Sequence, residues 1–104
     1  MNDKEFRKRA DALLIQESIQ PLAWWYLSFC DPGKPKGTQF LGACTVQAHG
    51  MADAITRAHR LGCNPGGEVA GWGPLPKLPD VWKGHTERLL SKAEIQALDA
   101  GEDV

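Results

Sequence analysis

Leu22-Ala23-Trp24-Trp25-Tyr26-Leu27-Ser28-Phe29-Cys30 is the strongest strand signal in the sequence. Aromatic side chains favour a pleated, half-buried surface. Strand alternation sends Trp25, Leu27 and Phe29 to one side. That set is wholly apolar and is expected to lie under helices. Trp24, Tyr26, Ser28 and Cys30 point the other way and mix rings with polar tips. Such a face suits a ligand, a partner chain or a second layer.

The flanking segments take their assignments from this strand. Asp31-Pro-Gly-Lys-Pro-Lys-Gly-Thr-Gln39 holds two prolines and two glycines, so it reads as a hairpin loop. It is longer than ordinary hairpin loops, and Lys34 and Lys36 charge its tip. Phe40 to Ala48 returns as a second strand. Residues 50–61 read as a helix with an apolar stripe of Met51, Ala54, Ile55, Ala58 and Leu61. Asp53 falls in its first turn and Arg57, His59 and Arg60 near its end, as the helix dipole prefers. Gly62 stands where a left-handed residue would close it.

After the loop Cys63-Asn64-Pro65-Gly66-Gly67, Glu68 to Trp72 forms a short third strand. Three prolines between Pro74 and Pro79 then impose an extended strap, anchored by Val81 and Trp82. Ser91-Lys92-Ala93-Glu94 is a capping box that starts a helix over about 92–99, with Leu90, Ile95 and Leu98 as its apolar contacts. Residues 3–18 carry Phe6, Ala10, Leu13 and Leu14 at helical spacing, and Pro21 bounds that helix.

The expected fold is α+β: a small three-stranded mixed sheet, strand-strand-helix-strand, in the order 2-1-3, with flanking N- and C-terminal helices. A helical crossover makes the second and third strands parallel and leaves the aromatic strand central. One domain spans 1–104, with a core unit 22–72, a proline-rich strap 73–85 and a C-terminal helix 91–100. A chain of 104 residues fits a single domain with a small core. The sheet face away from the helices must be covered, by the strap or by a second copy, so a homo-oligomer (dimer or higher) is expected.

Composition excludes some function classes. Hydrophobic residues are 42% and charged residues 24%, values of a globular rather than a disordered chain. No apolar run is long enough to span a membrane, and the first residues lack a signal-peptide core, so the expected location is cytoplasmic. Twelve basic residues against thirteen acidic ones argue against bulk nucleic-acid binding. Cys30, Cys44 and Cys63 do not have zinc or redox-pair spacing and read as reduced, mostly buried thiols. His49, His59 and His85 match no metal pattern, and paired carboxylates are absent: neither a metal nor a cofactor is expected.

Two features stand apart from simple packing. Gly62-Cys63-Asn64-Pro65-Gly66-Gly67-Glu68 permits positive φ angles, with which backbone N–H groups can converge on an anion. The bland reading is a helix cap and a tight turn, because the loop follows a helix C-terminus, the wrong dipole end for phosphate. Trp24, Tyr26, Trp72 and Trp82 form a possible stacking set for a nucleobase, against a bland reading as core. Trp24 and Tyr26 are the preferred pair, because Trp25 and Leu27 already fill the opposite face.

Trp24-Trp25-Tyr26-Leu27-Ser28-Phe29, Phe40-Leu41-Gly42-Ala43-Cys44 and Gly62-Cys63-Asn64-Pro65-Gly66-Gly67-Glu68-Val69 together resemble a family of short uncharacterised phage and bacterial proteins. The resemblance covers about residues 22–72 and carries no assigned activity. It implies a small phage accessory protein acting in the host cytosol. In size and expected oligomeric character the chain is similar to the phage sponges that sequester nucleotide signals of Thoeris or CBASS immunity.

The resulting expectation is a non-enzymatic protein that sequesters a nucleotide-derived molecule. Trp24 and Tyr26 would stack a base, and Arg57 and Arg60 would meet phosphates. Asn64, Gly66 and Gly67 would donate hydrogen bonds, and Glu68 would read a hydroxyl or amine. One alternative is an interaction module that inhibits a host enzyme through the hairpin tip and aromatic surface. A second is a small enzyme using Cys44 or Cys63 with a histidine.

Overall fold

Strand alternation divides the molecule into two layers on one sheet. The computed structural model describes residues 19–102; the helix expected over 3–18 lies outside them. Strands β1 (Ala23–Cys30), β2 (Phe40–Ala48) and β3 (Glu68–Leu75) form the sheet in the order β2-β1-β3. The aromatic strand is therefore central, as its composition requires. Both ladders are antiparallel, which corrects the expected mixed sheet. The crossover does leave β2 and β3 running the same way. With β1 between them, however, the two never pair.

Helix α1 (Met51–Arg60) covers one face. There Leu27, Phe29, Cys44, Val46, Ala48, Ala54, Ala58 and Cys63 form a closed core, with Trp25 and Met51 packed against it. The small Ala54 and Ala58 let the helix approach the sheet closely. Glycines of β3 serve the same end. A Cβ at Gly71 would stand 2.3 Å from Met51 Sδ, and one at Gly73 would stand 2.5 Å from the Trp25 ring. The Trp25 indole N–H donates to the Ala48 carbonyl at 3.2 Å, so its polar atom is satisfied where it enters the core. Leu61 departs from its expected place in the apolar stripe and is exposed, because the helix has already ended.

The opposite face is covered from within the chain. The strap, with a 3-10 turn at Asp80–Trp82, and helix α2 (Lys92–Asp99) lay Leu78, Trp82, Leu90 and Leu98 over Trp24 and Tyr26. The Ser91–Glu94 capping box forms as read from the sequence: Glu94 N–H donates to Ser91 Oγ and Ser91 N–H to Glu94 Oε1. β3 runs on through Pro74 to Leu75, three residues beyond the expected Trp72. An edge strand tolerates a proline, since no outer neighbour needs its missing N–H. The free edge of β2 is partly closed by the segment before α2. Ala43 and Leu90 exchange backbone hydrogen bonds of 3.1 and 2.7 Å, and Glu87 N–H donates to the Thr45 carbonyl at 2.8 Å. No helix among the described residues is long and apolar enough to cross a membrane.

Candidate functional site: an aromatic cavity under the strap

Strand register places Thr45 of β2, Tyr26 of β1 and Trp72 of β3 side by side. Their shared face looks away from α1. Trp82 descends from the strap toward this row, and Ile95 and Asp99 reach it from α2. The ring centroids of Tyr26 and Trp72 are 5.6 Å apart with planes tilted by 52°. Those of Tyr26 and Trp82 are 6.2 Å apart, edge to face at 72°. Between them lies a cavity of about 360 Å³, also lined by Leu75, Lys77 and Leu78. Its walls have unequal access: Trp82 is 7% exposed and Trp72 55%. Trp82 is fixed by the strap, whereas Trp72 stands open on the edge strand.

Thr45 is the unusual member. It is 1% exposed, and its hydroxyl Oγ1 has no hydrogen-bond partner among the described residues. An unpaired buried hydroxyl costs about 1–3 kcal/mol, so native chains seldom keep one without use. Here it borders the aromatic cavity. Tyr26 stands beside it with a phenol pushed up from its ordinary pKa, first by burial, then by the Asp99 carboxylate and Cys44. The phenol therefore stays protonated at neutral pH and can donate a hydrogen bond.

A second and larger cavity, about 620 Å³, lies on the other side of Tyr26 and Ile95. Phe40, Leu41, Gln39, Lys92 and Gln96 are among its lining residues. Lys77 and Lys92 thus contribute one ammonium to each cavity, and neither forms an ion pair with a described residue.

The eight expected site residues do not converge on one place. Tyr26 borders both cavities, whereas Trp24 pairs with Leu75 across the sheet and packs in the aromatic layer beside them. Arg57 and Arg60 belong to α1, on the far side of the sheet. Arg57 Nε is held by Asp53 Oδ2 at 3.0 Å, and that carboxylate also accepts from His49 N–H at 2.8 Å. Burial would raise the Asp53 pKa, but the bonds from His49 and Arg57 outweigh it and keep the group below its ordinary value.

The glycine-rich loop closes on itself. Asn64 Oδ1 accepts from Gly66 N–H at 2.8 Å, which occupies one of the amides an anion would need. Gly66 and Gly67 have φ of 94° and 75°. A Cβ at Gly67 would stand 2.3 Å from the Cys30 carbonyl oxygen, so this glycine is required for the chain to pass β1 closely. Glu68 opens β3 opposite Cys30 and is exposed.

Of the aromatic set, Tyr26, Trp72 and Trp82 assemble around the cavity. No sequence pattern marks Thr45 or Asp99 as a site residue, and Ile95 reads there only as an apolar contact of the last helix. Thr45 carries one faint signal, a hydroxyl between Cys44 and Val46 in a largely apolar strand. Cys44 and Cys63 are both buried in the α1 core, and Cys63 Sγ donates to the Ala58 carbonyl at 3.4 Å. Burial, reinforced by Cys63, pushes the Cys44 thiol up to about 12. Both thiols are therefore neutral at ordinary pH and far from the reactive thiolate form. Among the described residues no group of three or more His, Cys, Asp or Glu is placed to hold a metal ion. No family model matches the chain, and no curated protein or solved structure matches it either.

Proposed function

We propose that the protein binds, without chemistry, a ligand that inserts a planar heteroaromatic ring into the Tyr26–Trp72–Trp82 cavity. The base of a nucleotide-derived molecule has the right properties: π faces for the tryptophans and a polar edge for a hydroxyl. The observation that carries this reading is the buried, unpartnered Thr45 hydroxyl beside three aromatic side chains. An apolar occupant would leave that hydroxyl unsatisfied, whereas a ring nitrogen or carbonyl would pair with it. A volume of about 360 Å³ lies within the range of small-molecule sites. Neutral, buried thiols support binding over turnover. In the phage setting that the resemblance implies, such binding would sequester a nucleotide signal.

Tryptophan fluorescence tests the proposal, because three of the aromatic side chains would touch or neighbour the ring. Titration with nucleoside monophosphates should quench the emission, and the compound should be recovered unchanged. Trp72→Ala should weaken binding by roughly 5- to 150-fold, the equivalent of about 1–3 kcal/mol for one stacked base. Trp72 is exposed on an edge strand, so this variant should keep its fold by circular dichroism. No quenching by any base, from a folded protein, would reject the proposal.

A further inference from the structure

We infer that the ligand carries two ring systems on a phosphate-bearing linker, the chemistry of a dinucleotide. This rests on the proposed ring site. The two cavities share Tyr26 and Ile95 as a common wall, so they are neighbours across a ridge of two side chains. Both sides of the ridge present aromatic surface: Trp72 and Trp82 on one side, Phe40 on the other. Phe40 is 38% exposed at the first residue of β2 and is not part of either packed core, so its ring is available.

The volumes point the same way. The smaller cavity, about 360 Å³, has room for one ring and its sugar. A mononucleotide seated there would leave the larger cavity of about 620 Å³ unfilled. That larger cavity is suited to a second polar ring through Gln96, which borders it beside Phe40 and Leu41. Gln39 Nε2, by contrast, already donates to the Lys34 carbonyl at 3.0 Å, and Ser91 Oγ accepts from Glu94 N–H at 3.2 Å. Charge is disposed accordingly. Lys92 lines the larger lobe and Lys77 the smaller, neither ion-paired among the described residues, against the single lining carboxylate of Asp99 in the smaller lobe. The ridge thus has a net positive surround, which favours an anionic linker. Once the first ring is seated, the second binds at the effective concentration set by the linker, so affinity rises without further contacts on the first ring.

Isothermal titration calorimetry on the full chain decides the matter, with adenosine and guanosine monophosphates as one set of probes and their 3′,5′-linked dinucleotides as the other. The dinucleotides should bind at least about tenfold more tightly than the mononucleotides, with one dinucleotide per chain. Phe40→Ala and Lys92→Glu should each lower that ratio toward one. Both sites are exposed, and Glu at the first turn of α2 suits the helix dipole, so these chains should fold. A ratio near one in the unaltered protein overturns the two-ring inference while the single-ring reading stands. A ratio that survives both substitutions also overturns it, because the second ring would then lie elsewhere. Failure of every mono- and dinucleotide to bind rejects the single-ring reading and the inference with it.

Discussion

The two faces of this sheet are made from alternate residues of the same strands, yet they are finished to different degrees. Toward α1, Leu27, Phe29, Cys44 and Val46 are fully buried, and alanine and glycine let helix and sheet approach closely. Toward the strap, Tyr26 and Trp72 are only partly covered, two cavities remain, and the Thr45 hydroxyl has no partner among the described residues. The difference separates stability from binding. A face packed to completion supplies folding free energy and has nothing to offer a ligand. A face of large rings under a proline strap leaves space, because stiff, bulky side chains meeting at 52° and 72° cannot interlock fully.

The largest effect should come from the finished face. Phe29→Ala removes a side chain with no solvent exposure from the centre of the α1 core and should cost about 3–5 kcal/mol, measured by urea denaturation. A change of stability much under that range would mean that the α1 face can collapse around the gap and is less closely packed than its contacts imply.

Alkali should separate the faces next. Burial pushes up both Cys44 and Cys63 on the α1 face and Tyr26 on the strap face. The unfolded chain therefore loses these protons at lower pH than the folded chain does. In that window the folded state binds more protons, so stability falls as pH rises. The ordinary thiol value is 9.0 and that of the phenol 10.0, so the α1 face weakens first. Denaturation curves taken from about pH 8 to about pH 11 should show the decline beginning near the thiol value. In a Cys44→Ala/Cys63→Ala chain the onset should move up toward the phenol value. An unmoved onset would show that the α1 face does not set the alkaline limit.

The division into two faces is legible in the sequence because β1 alternates strictly and its apolar set is unbroken. The strand order follows from the crossover, and α2 follows from its capping box, since both are local signals. The antiparallel ladders follow from the same order: β2 and β3 run the same way on either side of β1, and β1 is a hairpin partner of β2. Both must then pair antiparallel to β1, so a mixed sheet does not follow from parallel outer strands that never pair. The site is harder to read. Trp72 meets Tyr26 through the β1–β3 register, but Trp82 reaches them only after the strap folds back, and that path depends on Leu78, Leu90 and Leu98 packing together. Arg57 and the glycine loop look like anion ligands in one dimension. In the fold Arg57 serves Asp53, the Gly66 amide is taken by Asn64, and Gly67 clears Cys30. The one local mark of Thr45 is a hydroxyl in a largely apolar strand; that it lacks a partner among the described residues is a property of the tertiary surroundings.

The smallest expected effect is the most telling for the comparison. Thr45 and Val46 are adjacent in β2, equally buried and similar in shape, and they point to opposite faces. Thr45→Val exchanges an unsatisfied hydroxyl for a methyl group. Stability should stay level or rise by up to about 1 kcal/mol, because no hydrogen bond is lost and a desolvated polar atom is removed. Affinity for a nucleoside monophosphate should meanwhile fall about tenfold, the worth of one hydrogen bond to the ring edge. The reciprocal change, Val46→Thr, places the same hydroxyl in the filled face and should lower stability by roughly 1–3 kcal/mol. Paired urea and binding titrations of the two variants read both quantities. If Thr45→Val instead lost more than about 1 kcal/mol with affinity unchanged, the hydroxyl would have a structural partner. The strap face would then be as complete as the α1 face, and the division between a face that folds and a face that binds would fail.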